Sequence, residues 1–199
     1  MRTADDIDIS NLVFMRQEEK LAADVYRALG AKWDHPAFSN IEESELFHQA
    51  EVVAQLARFG IEDPIAHLGP GEFDDPAMAE MYQSFVARGL ESLDEAMRVA
   101  GHIEELDIAD LRARRCGVPE IDQLYDLLEL GSHNHLRAFV INLAYMGHPY
   151  RPQVLTPQEV VDILTAGASG CNSQACHGAA GADHHGGGHS CVPTDGGCH

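Results

Sequence analysis

The sequence predicts an all-α protein, with four long helices in a bundle, short extra helices and a disordered C-terminal tail. Apolar residues recur at helical spacing through five or six segments, and no segment shows the alternation of a β-strand. Capping residues stand at the ends of most of these segments. Four segments are about five turns or longer, and long helices joined by short or medium connections are typical of a four-helix bundle.

The first two helices are predicted from their caps and breakers. Ser10 can cap a helix that runs to about Leu29. The loop AKWDHPAF follows, and the pair Ser39 and Glu42 matches a capping box that begins the second helix. This helix is expected to end at Gly60.

Four further helices follow along the chain. They are predicted from about Ala77 to Arg88, from Ser92 to Arg115, from Pro119 to Met146 and from Thr156 to Leu164. Two of them begin with capping boxes, Ser92 with Glu95 and Thr156 with Glu159. Pro119 suits the first position of another.

The composition changes abruptly near the C-terminus. Residues 167–199 hold nine of the 18 glycines, four of the five cysteines and five of the 12 histidines, with no Lys or Arg. Such a segment cannot bury a core of its own. We therefore expect a bundle domain over residues 1–166 and a flexible tail rich in Gly, Cys and His over residues 167–199.

The charge of the chain excludes some partners. There are 32 acidic and 13 basic residues, a formal net charge of -19, which disfavours nucleic acid and anionic membranes as partners and suits a protein that handles cations. The N-terminus MRTADDIDIS has no apolar region of a signal peptide. No apolar run is long enough to span a membrane. By default, we expect a cytoplasmic location.

Ionisable residues interrupt the apolar faces of the long helices. The polar residues that fall within these faces are Glu45, His48, Glu104, Asp107, Ser132 and His135. Glu105 and His133 fall outside them. On the first helix both Glu18 and Glu19 border the apolar face, and periodicity alone favours Glu18.

These positions bring four carboxylates and two imidazoles to the middle of the predicted bundle. Buried carboxylates without partners cost several kcal/mol each or take up protons. Two divalent cations would neutralise four carboxylates, and carboxylate with imidazole suits iron, manganese or zinc. Glu45 and His48 have the i, i+3 spacing that lets both bind one ion. A structural polar network without metal is the alternative.

The motifs that contain these residues resemble the ferritin-like superfamily of di-iron carboxylate proteins. In chain order they are EEKLAADVY, FSNIEESELFH, IEELDIADL and GSHNHLRAF. The resemblance covers about residues 10–147 and is nearest to an uncharacterised bacterial and archaeal family, a domain of unknown function. It implies a di-iron site, with manganese or zinc as other metals, and an oxidoreductase that acts on peroxide, oxygen or ferrous iron.

The resemblance also assigns residues. A ligand Glu followed by a Tyr seven residues later corresponds to Glu19 and Tyr26, so it prefers Glu19 over Glu18. The implied metal ligands are Glu19, Glu45, His48, Glu104, Asp107 and His135. Tyr26 is expected to act as a hydrogen-bond donor beside the metals or as a radical site; a core aromatic with a satisfied hydroxyl is the alternative. Domains of this superfamily often dimerise, so a homodimer is a further expectation.

One position departs from the pattern of the superfamily. Ser132 stands where the fourth helix should carry a second Glu, three residues before His135. Either Asp107 supplies the missing carboxylate, or one of the two metal sites is weak or empty. The departure favours a second hypothesis, in which the protein binds, stores or transfers a transition metal without turnover.

The tail carries its own set of soft and borderline ligands. They are Cys171, Cys176, His177, His184, His185, His189, Cys191, Cys198 and His199. Thiolates and imidazoles suit a second transition metal such as zinc, copper or nickel. A disulfide-forming tail and a tail without function are the alternatives. Cys-x-x-Cys pairs are absent, so the chain has no rubredoxin-like electron donor, and any electrons must come from an external donor.

Overall fold

The computed structural model describes residues 9–166, and this part of the chain is all-helical. Its six helices are α1 (Ile9–Trp33), α2 (Pro36–Arg58), α3 (Pro76–Gly89), α4 (Leu93–Ala113), α5 (Pro119–Tyr145) and α6 (Pro157–Ala166). No strand occurs among these residues. The all-α prediction is confirmed. The predicted tail and its nine ligands lie outside the described residues.

The four long helices contact one another in a closed ring. Helix α1 packs on α2 and α4, and α5 packs on the same two helices. The short helix α3 covers α1 and α4, while α6 lies against α5. Each long helix therefore has one face that two neighbours bury.

Two apolar clusters fill the space between these helices. The first includes Val25, Phe38, Ala100 and Phe139. The second includes Leu12, Leu56, Leu111 and Leu128. The two clusters occur in opposite order along α1 and along its neighbours α2 and α4, and the same holds for α5. Each long helix is therefore antiparallel to both of its neighbours.

A layer of polar residues separates the two clusters. In every long helix, the polar residues predicted on its apolar face stand in the sequence between residues of one cluster and residues of the other. The apolar clusters supply the burial that holds the four helices together. The polar layer is thereby shielded from water at both ends.

The start of α2 differs from the prediction. The predicted capping box at Ser39 is wrong, because the helix already begins at Pro36 and His35 is its N-cap, accepting from the amide of Ala37 at 3.2 Å. Proline suits the first helical position, where its fixed φ is already helical and no amide donor is needed. Glu42 instead accepts a hydrogen bond from Arg27 at 2.7 Å.

Ser10, predicted to cap the first helix, lies within α1, whereas the predicted caps of α4 and α6 are present. The Ser92 hydroxyl accepts from the amide of Glu95 at 3.2 Å at the start of α4. The capping box at α6 is complete, since the Thr156 amide donates to the Glu159 carboxylate at 2.8 Å and the Glu159 amide donates back at 3.3 Å. These reciprocal bonds satisfy amides that have no partner within the helix.

The long connection between α2 and α3 is tied to α1 by buried charges. Arg16 pairs with Asp63 at 3.0 Å. Lys20 pairs with Asp24 and donates to the carbonyl of Gly69 at 2.8 Å. These side chains of α1 fix the connection across the face that α1 does not use for the polar layer.

Glu105 falls outside the predicted apolar face of its helix, yet it is completely buried. Its carboxylate accepts from the amides of Val154 at 2.8 Å and Leu155 at 2.7 Å, from the amide of Gln153 and from the hydroxyl of Tyr150. The segment that leads from α5 to α6 folds over this carboxylate and buries it.

Within residues 9–166, no helix combines the length and the apolar character needed to cross a membrane.

Candidate metal centre

Five side chains from all four long helices converge in the polar layer. They form two groups of three whose ligand atoms lie within 4.8 Å of one another: Glu19, Glu45 and His48, and Glu45, Glu104 and His135. All five residues are buried. Glu45 belongs to both groups, so the two groups form one centre that could hold metal.

The first group is built around the imidazole of His48. Its Nδ1 lies 2.9 Å from Glu45 Oε2 and 3.2 Å from Glu19 Oε2. Because Glu45 and His48 are three residues apart on α2, they share one face of that helix. Glu19 faces them from α1, and only 1% of Glu19 is exposed.

Gly131 on α5 makes room for that imidazole. A β-carbon at this position would lie 2.4 Å from His48 Nε2. The His48 ring can therefore occupy this position only if residue 131 has no side chain. Sequence reasoning missed Gly131, although a glycine in the middle of a long helix costs about 1 kcal/mol relative to alanine and was a signal for close packing.

The second group is built around the imidazole of His135. Its Nδ1 lies 2.8 Å from Glu45 Oε1 and 3.5 Å from Glu104 Oε2. Neither carboxylate is aligned with the ring for a hydrogen bond, so Nδ1 has no hydrogen-bond partner. The other ring nitrogen, Nε2, lies 2.9 Å from the hydroxyl of Ser44. With a proton on Nε2 donated to Ser44, Nδ1 keeps its lone pair for a cation.

The Tyr26 hydroxyl is hydrogen-bonded to the Glu104 carboxylate. The phenol is completely buried and donates to Glu104 Oε1 at 2.5 Å. Its ring packs against Phe139, with 5.3 Å between the ring centroids. Tyr26 thus has the contact expected of a hydrogen-bond donor beside the centre, since it fixes one carboxylate oxygen and leaves the other facing His135.

Asp107 and Ser132 form a pair next to the two groups. The Ser132 hydroxyl is hydrogen-bonded to Asp107 Oδ2, and Asp107 Oδ1 has no hydrogen-bond partner. Asp107 is buried but belongs to neither group of three. The Asp107 carboxylate therefore reaches toward the position where the superfamily pattern expects a glutamate on the fourth long helix.

The structure places Glu19, and not Glu18 as periodicity alone favoured, beside the other candidate ligands. Glu19 joins the first group, whereas Glu18 does not. Glu18 is nevertheless buried, with 7% of its surface exposed. Both glutamates lie on the inner side of α1, which explains why periodicity favoured the one that joins neither group.

Burial and mutual charge decide where protons reside in this centre. Burial raises the pKa of the Glu19 carboxyl to about 8, although its hydrogen bond with His48 acts in the opposite direction. Burial also opposes ionisation of Glu45, but the adjacent His135 and His48 hold its pKa below the ordinary value. Burial likewise raises the pKa values of Glu104 and Asp107.

The two imidazoles shift in the direction that complements Glu45. Burial lowers the pKa of His48, but its contacts with Glu19 and Glu45 raise it to about 11. Burial also lowers the pKa of His135, and the charges of Glu104 and Glu45 raise it to about 10. Without a cation, protons held by these groups balance the charge of the carboxylates.

The donor set fits a pair of transition-metal ions. Carboxylate oxygens and imidazole nitrogens suit iron, manganese and zinc. Three ligand atoms have no hydrogen-bond partner, namely Glu19 Oε1, Asp107 Oδ1 and His135 Nδ1. Buried polar atoms without partners are rare in native proteins because each costs free energy. These atoms are the ones that a bound cation would satisfy.

A model of one protein family matches most of the chain. The family is described as an uncharacterized protein domain, DUF2202, and the match covers residues 8–167. The chain belongs to the DUF2202 family. The predicted membership of a family of unknown function is confirmed, and the DUF2202 match contains all six ligands predicted in the helices.

One protein, MJ0754, is similar to this chain both in sequence and in its crystal structure. The chain is 40% identical over 157 residues to the uncharacterized protein MJ0754 of Methanocaldococcus jannaschii, an alignment that covers 78% of this chain and 85% of that protein. The crystal structure of the hypothetical protein MJ0754 from Methanococcus jannaschii is similar with a TM-score of 0.76 and 39% identity, covering 78% of this chain and 90% of that chain. The name of this protein states no activity.

Proposed function

We propose that this protein is a ferritin-like di-metal carboxylate protein and that it works as an oxidoreductase on peroxide, oxygen or ferrous iron. The four long helices then form a ferritin-like four-helix bundle around the centre. The observation that carries the proposal is Glu45, whose two carboxylate oxygens face two different imidazoles. A carboxylate placed in this way can bridge two ions, and a single structural ion would not need it.

Each ion has its own ligands in this proposal. Glu19 and His48 would hold one ion, Glu104 and His135 would hold the other, and Glu45, which belongs to both groups, would be available to either. Asp107 supplies the carboxylate that Ser132 cannot supply, through the oxygen that has no hydrogen-bond partner. Iron is the proposed metal because nitrogen and oxygen ligands suit it, and when bound it would supply the redox chemistry.

The surrounding residues orient these ligands. Tyr26 fixes Glu104 by its hydrogen bond of 2.5 Å, and Ser44 fixes His135 through Nε2 at 2.9 Å. Hydrogen bonds of this kind set the direction and basicity of a ligand. The apolar clusters on either side limit the access of water. An external electron donor remains part of the proposal, as does assembly into a homodimer.

Elemental analysis of the full-length protein, purified without added metal, tests the proposal. We expect about two transition-metal ions per chain in the helical centre. Glu45→Gln removes the shared ligand and should abolish binding at both positions. Glu43→Gln is the matched control, because Glu43 lies on the same helix and is exposed. Wild-type binding that Glu45→Gln leaves intact would contradict a bridging role of Glu45.

Activity assays then test the oxidoreductase part. Iron-loaded protein with an added reductant is expected to consume peroxide or oxygen, and Tyr26→Phe should lower the rate while iron stays bound. The phenol-to-phenyl change removes the hydrogen bond to Glu104 at 2.5 Å and the longer contact with the Ala100 carbonyl at 3.4 Å, and keeps the ring. If iron-loaded protein consumes neither oxidant with any reductant, this part of the proposal fails.

A second function is favoured by Ser132. Where one carboxylate is missing from the superfamily pattern, the centre could hold a redox-inert ion, and the protein would store or transfer a transition metal without turnover. The tail, with ligands such as Cys171, Cys176, Cys191 and Cys198, would then exchange zinc, copper or nickel. Replacing these four cysteines by serine in the full chain should lower bound zinc, copper or nickel under this alternative and leave it unchanged otherwise.

A further inference from the structure

A narrow cavity between α1, α3 and α4 reaches the candidate metal centre from the side. Its polar lining consists of Glu18, Glu45, Glu104 and Asp107, and its apolar lining includes Met81 and Phe85 of α3. Two of these carboxylates, Glu45 and Glu104, belong to the groups of the centre. The cavity therefore connects Glu18, which no group uses, with residues that face the proposed metals.

Glu18 is buried in this cavity without a partner for one of its oxygens. The residue is 7% exposed, and its Oε2 makes no hydrogen bond. Asp107, at 9% exposed, contributes a second oxygen without a partner, Oδ1, to the same cavity. Leaving two buried carboxylate oxygens unsatisfied costs several kcal/mol. A positively charged occupant would satisfy both.

A row of carboxylates on α4 leads from the surface to the centre. Glu104, Asp107 and Asp110 follow one another at three-residue spacing and so lie close to one face of the helix. The Asp110 side chain is 29% exposed, whereas Asp107 and Glu104 are buried. Asp110 lies beside Glu18 and acts on it electrostatically. Exposure falls along this row toward the centre.

The charge of Arg114 favours the ionised form of Glu18 without a hydrogen bond to it. Arg114 donates to Asp110 at 3.0 Å and to Asn11 at 2.9 Å, and its guanidinium stacks on Phe14. Its Nε has no hydrogen-bond partner, and neither has Glu18 Oε2.

We propose that Glu18 forms a transit site for divalent cations, through which a cation passes from Asp110 at the surface to Asp107 and the metal centre. The inference rests on the proposed function, since it assumes that the centre binds metal. A buried carboxylate with one oxygen that lacks a partner binds an ion strongly enough to draw it inside and weakly enough to release it, as conduction through any charged passage requires. Glu18 is then a residue of metal uptake and not a ligand of the resident ions.

The kinetics of cobalt uptake test this proposal. Co²⁺ is mixed with the metal-free full-length protein in a stopped-flow instrument, and the absorption of the bound ion is followed over time. Glu18→Gln keeps the shape of the side chain and removes its capacity to ionise when a cation arrives. We expect uptake to slow by about ten-fold or more, since local charge of this kind raises association rates by 10–10³. The final stoichiometry and the final spectrum should equal those of the wild type.

Two further variants provide a control and a second test. Glu43→Gln removes one exposed charge of α2 and controls for the loss of bulk attraction. Asp110→Asn tests the outer end of the row and keeps the proposal testable if Glu18→Gln fails to fold. We expect slower uptake in Asp110→Asn and an unchanged rate in Glu43→Gln.

The outcomes separate this proposal from the proposed function. Uptake by Glu18→Gln at the wild-type rate overturns the transit site alone. A lower final stoichiometry in Glu18→Gln also overturns it, because Glu18 would then be a ligand of the centre. Wild-type protein that binds no Co²⁺ overturns the proposed function, and the transit site with it.

Discussion

At Glu45, each carboxylate oxygen faces a different imidazole, with His48 Nδ1 at 2.9 Å from one and His135 Nδ1 at 2.8 Å from the other. The two rings also stack on each other, with 5.4 Å between their centroids. One residue thereby couples two groups of ligands. Glu45 belongs to both groups, whereas each of the other four residues belongs to one.

Protons and metal ions compete for the same atoms, which gives a prediction about pH. The pKa of Glu19 is raised to about 8, and that of His48 to about 11. Near pH 7 these groups hold protons that a cation must displace. Binding should therefore release protons, and affinity should increase as pH rises toward 8 and fall as pH falls. Calorimetric titration with Zn²⁺ in two buffers of different ionisation enthalpy measures the release; equal heats in both buffers would contradict it.

Gly131 gives a prediction about a residue that binds nothing itself. In Gly131→Ala the new β-carbon would lie 2.4 Å from His48 Nε2, so the ring must leave its place between Glu19 and Glu45. We expect metal affinity to fall by about 10–100-fold, the range seen when residues that position ligands are changed. Zn²⁺ titration measures this fall. Gln123→Ala, at an exposed position of α5, is the control and should bind as the wild type does.

At the scale of elements, Glu105 shows how a helix can organise a loop. The segment after α5 has no regular structure of its own until α6 begins at Pro157. Its amides need acceptors once they are buried, and the Glu105 carboxylate supplies them. The same carboxylate is acceptable in the interior because these charge-assisted hydrogen bonds replace its hydration. Helix α4 thereby positions α6 as well as the centre.

This arrangement predicts a specific loss of stability. Glu105→Ala should lower the free energy of unfolding by about 3 kcal/mol, because buried amides would lose a charged acceptor. Urea denaturation measures the loss, and amide hydrogen exchange should speed up at Val154 and Leu155. Tyr150→Phe removes one hydrogen bond from the same carboxylate and should cost about 1 kcal/mol. If both variants lose the same stability, Glu105 does not anchor the segment.

At the scale of the whole molecule, the net negative charge and the buried polar layer both affect the stability of the folded protein. The formal net charge of -19 disfavours the compact state through repulsion. Several of the acidic residues are enclosed in the polar layer between two apolar clusters, where burial raises the pKa of Glu19, Glu104 and Asp107 and opposes their ionisation. Metal ions bound in this layer would remove repulsion where screening by solvent is weakest.

Metal should therefore stabilise the folded protein in a saturable way. At a free Zn²⁺ concentration of 100 times Kd, the free energy of unfolding should rise by about 2.7 kcal/mol. Thermal denaturation with and without Zn²⁺ measures this, and an excess of chelator should reverse it. Sodium chloride at equal ionic strength is the control, because screening alone acts mainly on exposed charges. An equal rise in Tm with sodium chloride would contradict specific binding.

The sequence by itself determined the all-α class, the helices and most of the residues of the centre. Helical periodicity is a local property, and it was strong enough to place Glu45, His48, Glu104 and His135 on apolar faces. Capping chemistry is also local, which is why the starts of α4 and α6 were predicted correctly. The prediction from capping residues failed at α2. The helix begins at Pro36, three residues before the predicted capping residue Ser39.

Only the tertiary structure decided how these residues meet. Glu18 and Glu19 are adjacent on one helix, and the choice between them depends on where the neighbouring helices place their own ligands. The burial of Glu105 depends on a segment about 50 residues away in the sequence. Gly131 on α5 leaves space for the imidazole of His48, which belongs to α2. Periodicity reports which face of a helix is buried, whereas the contacts across that face depend on the packing of helices distant in sequence.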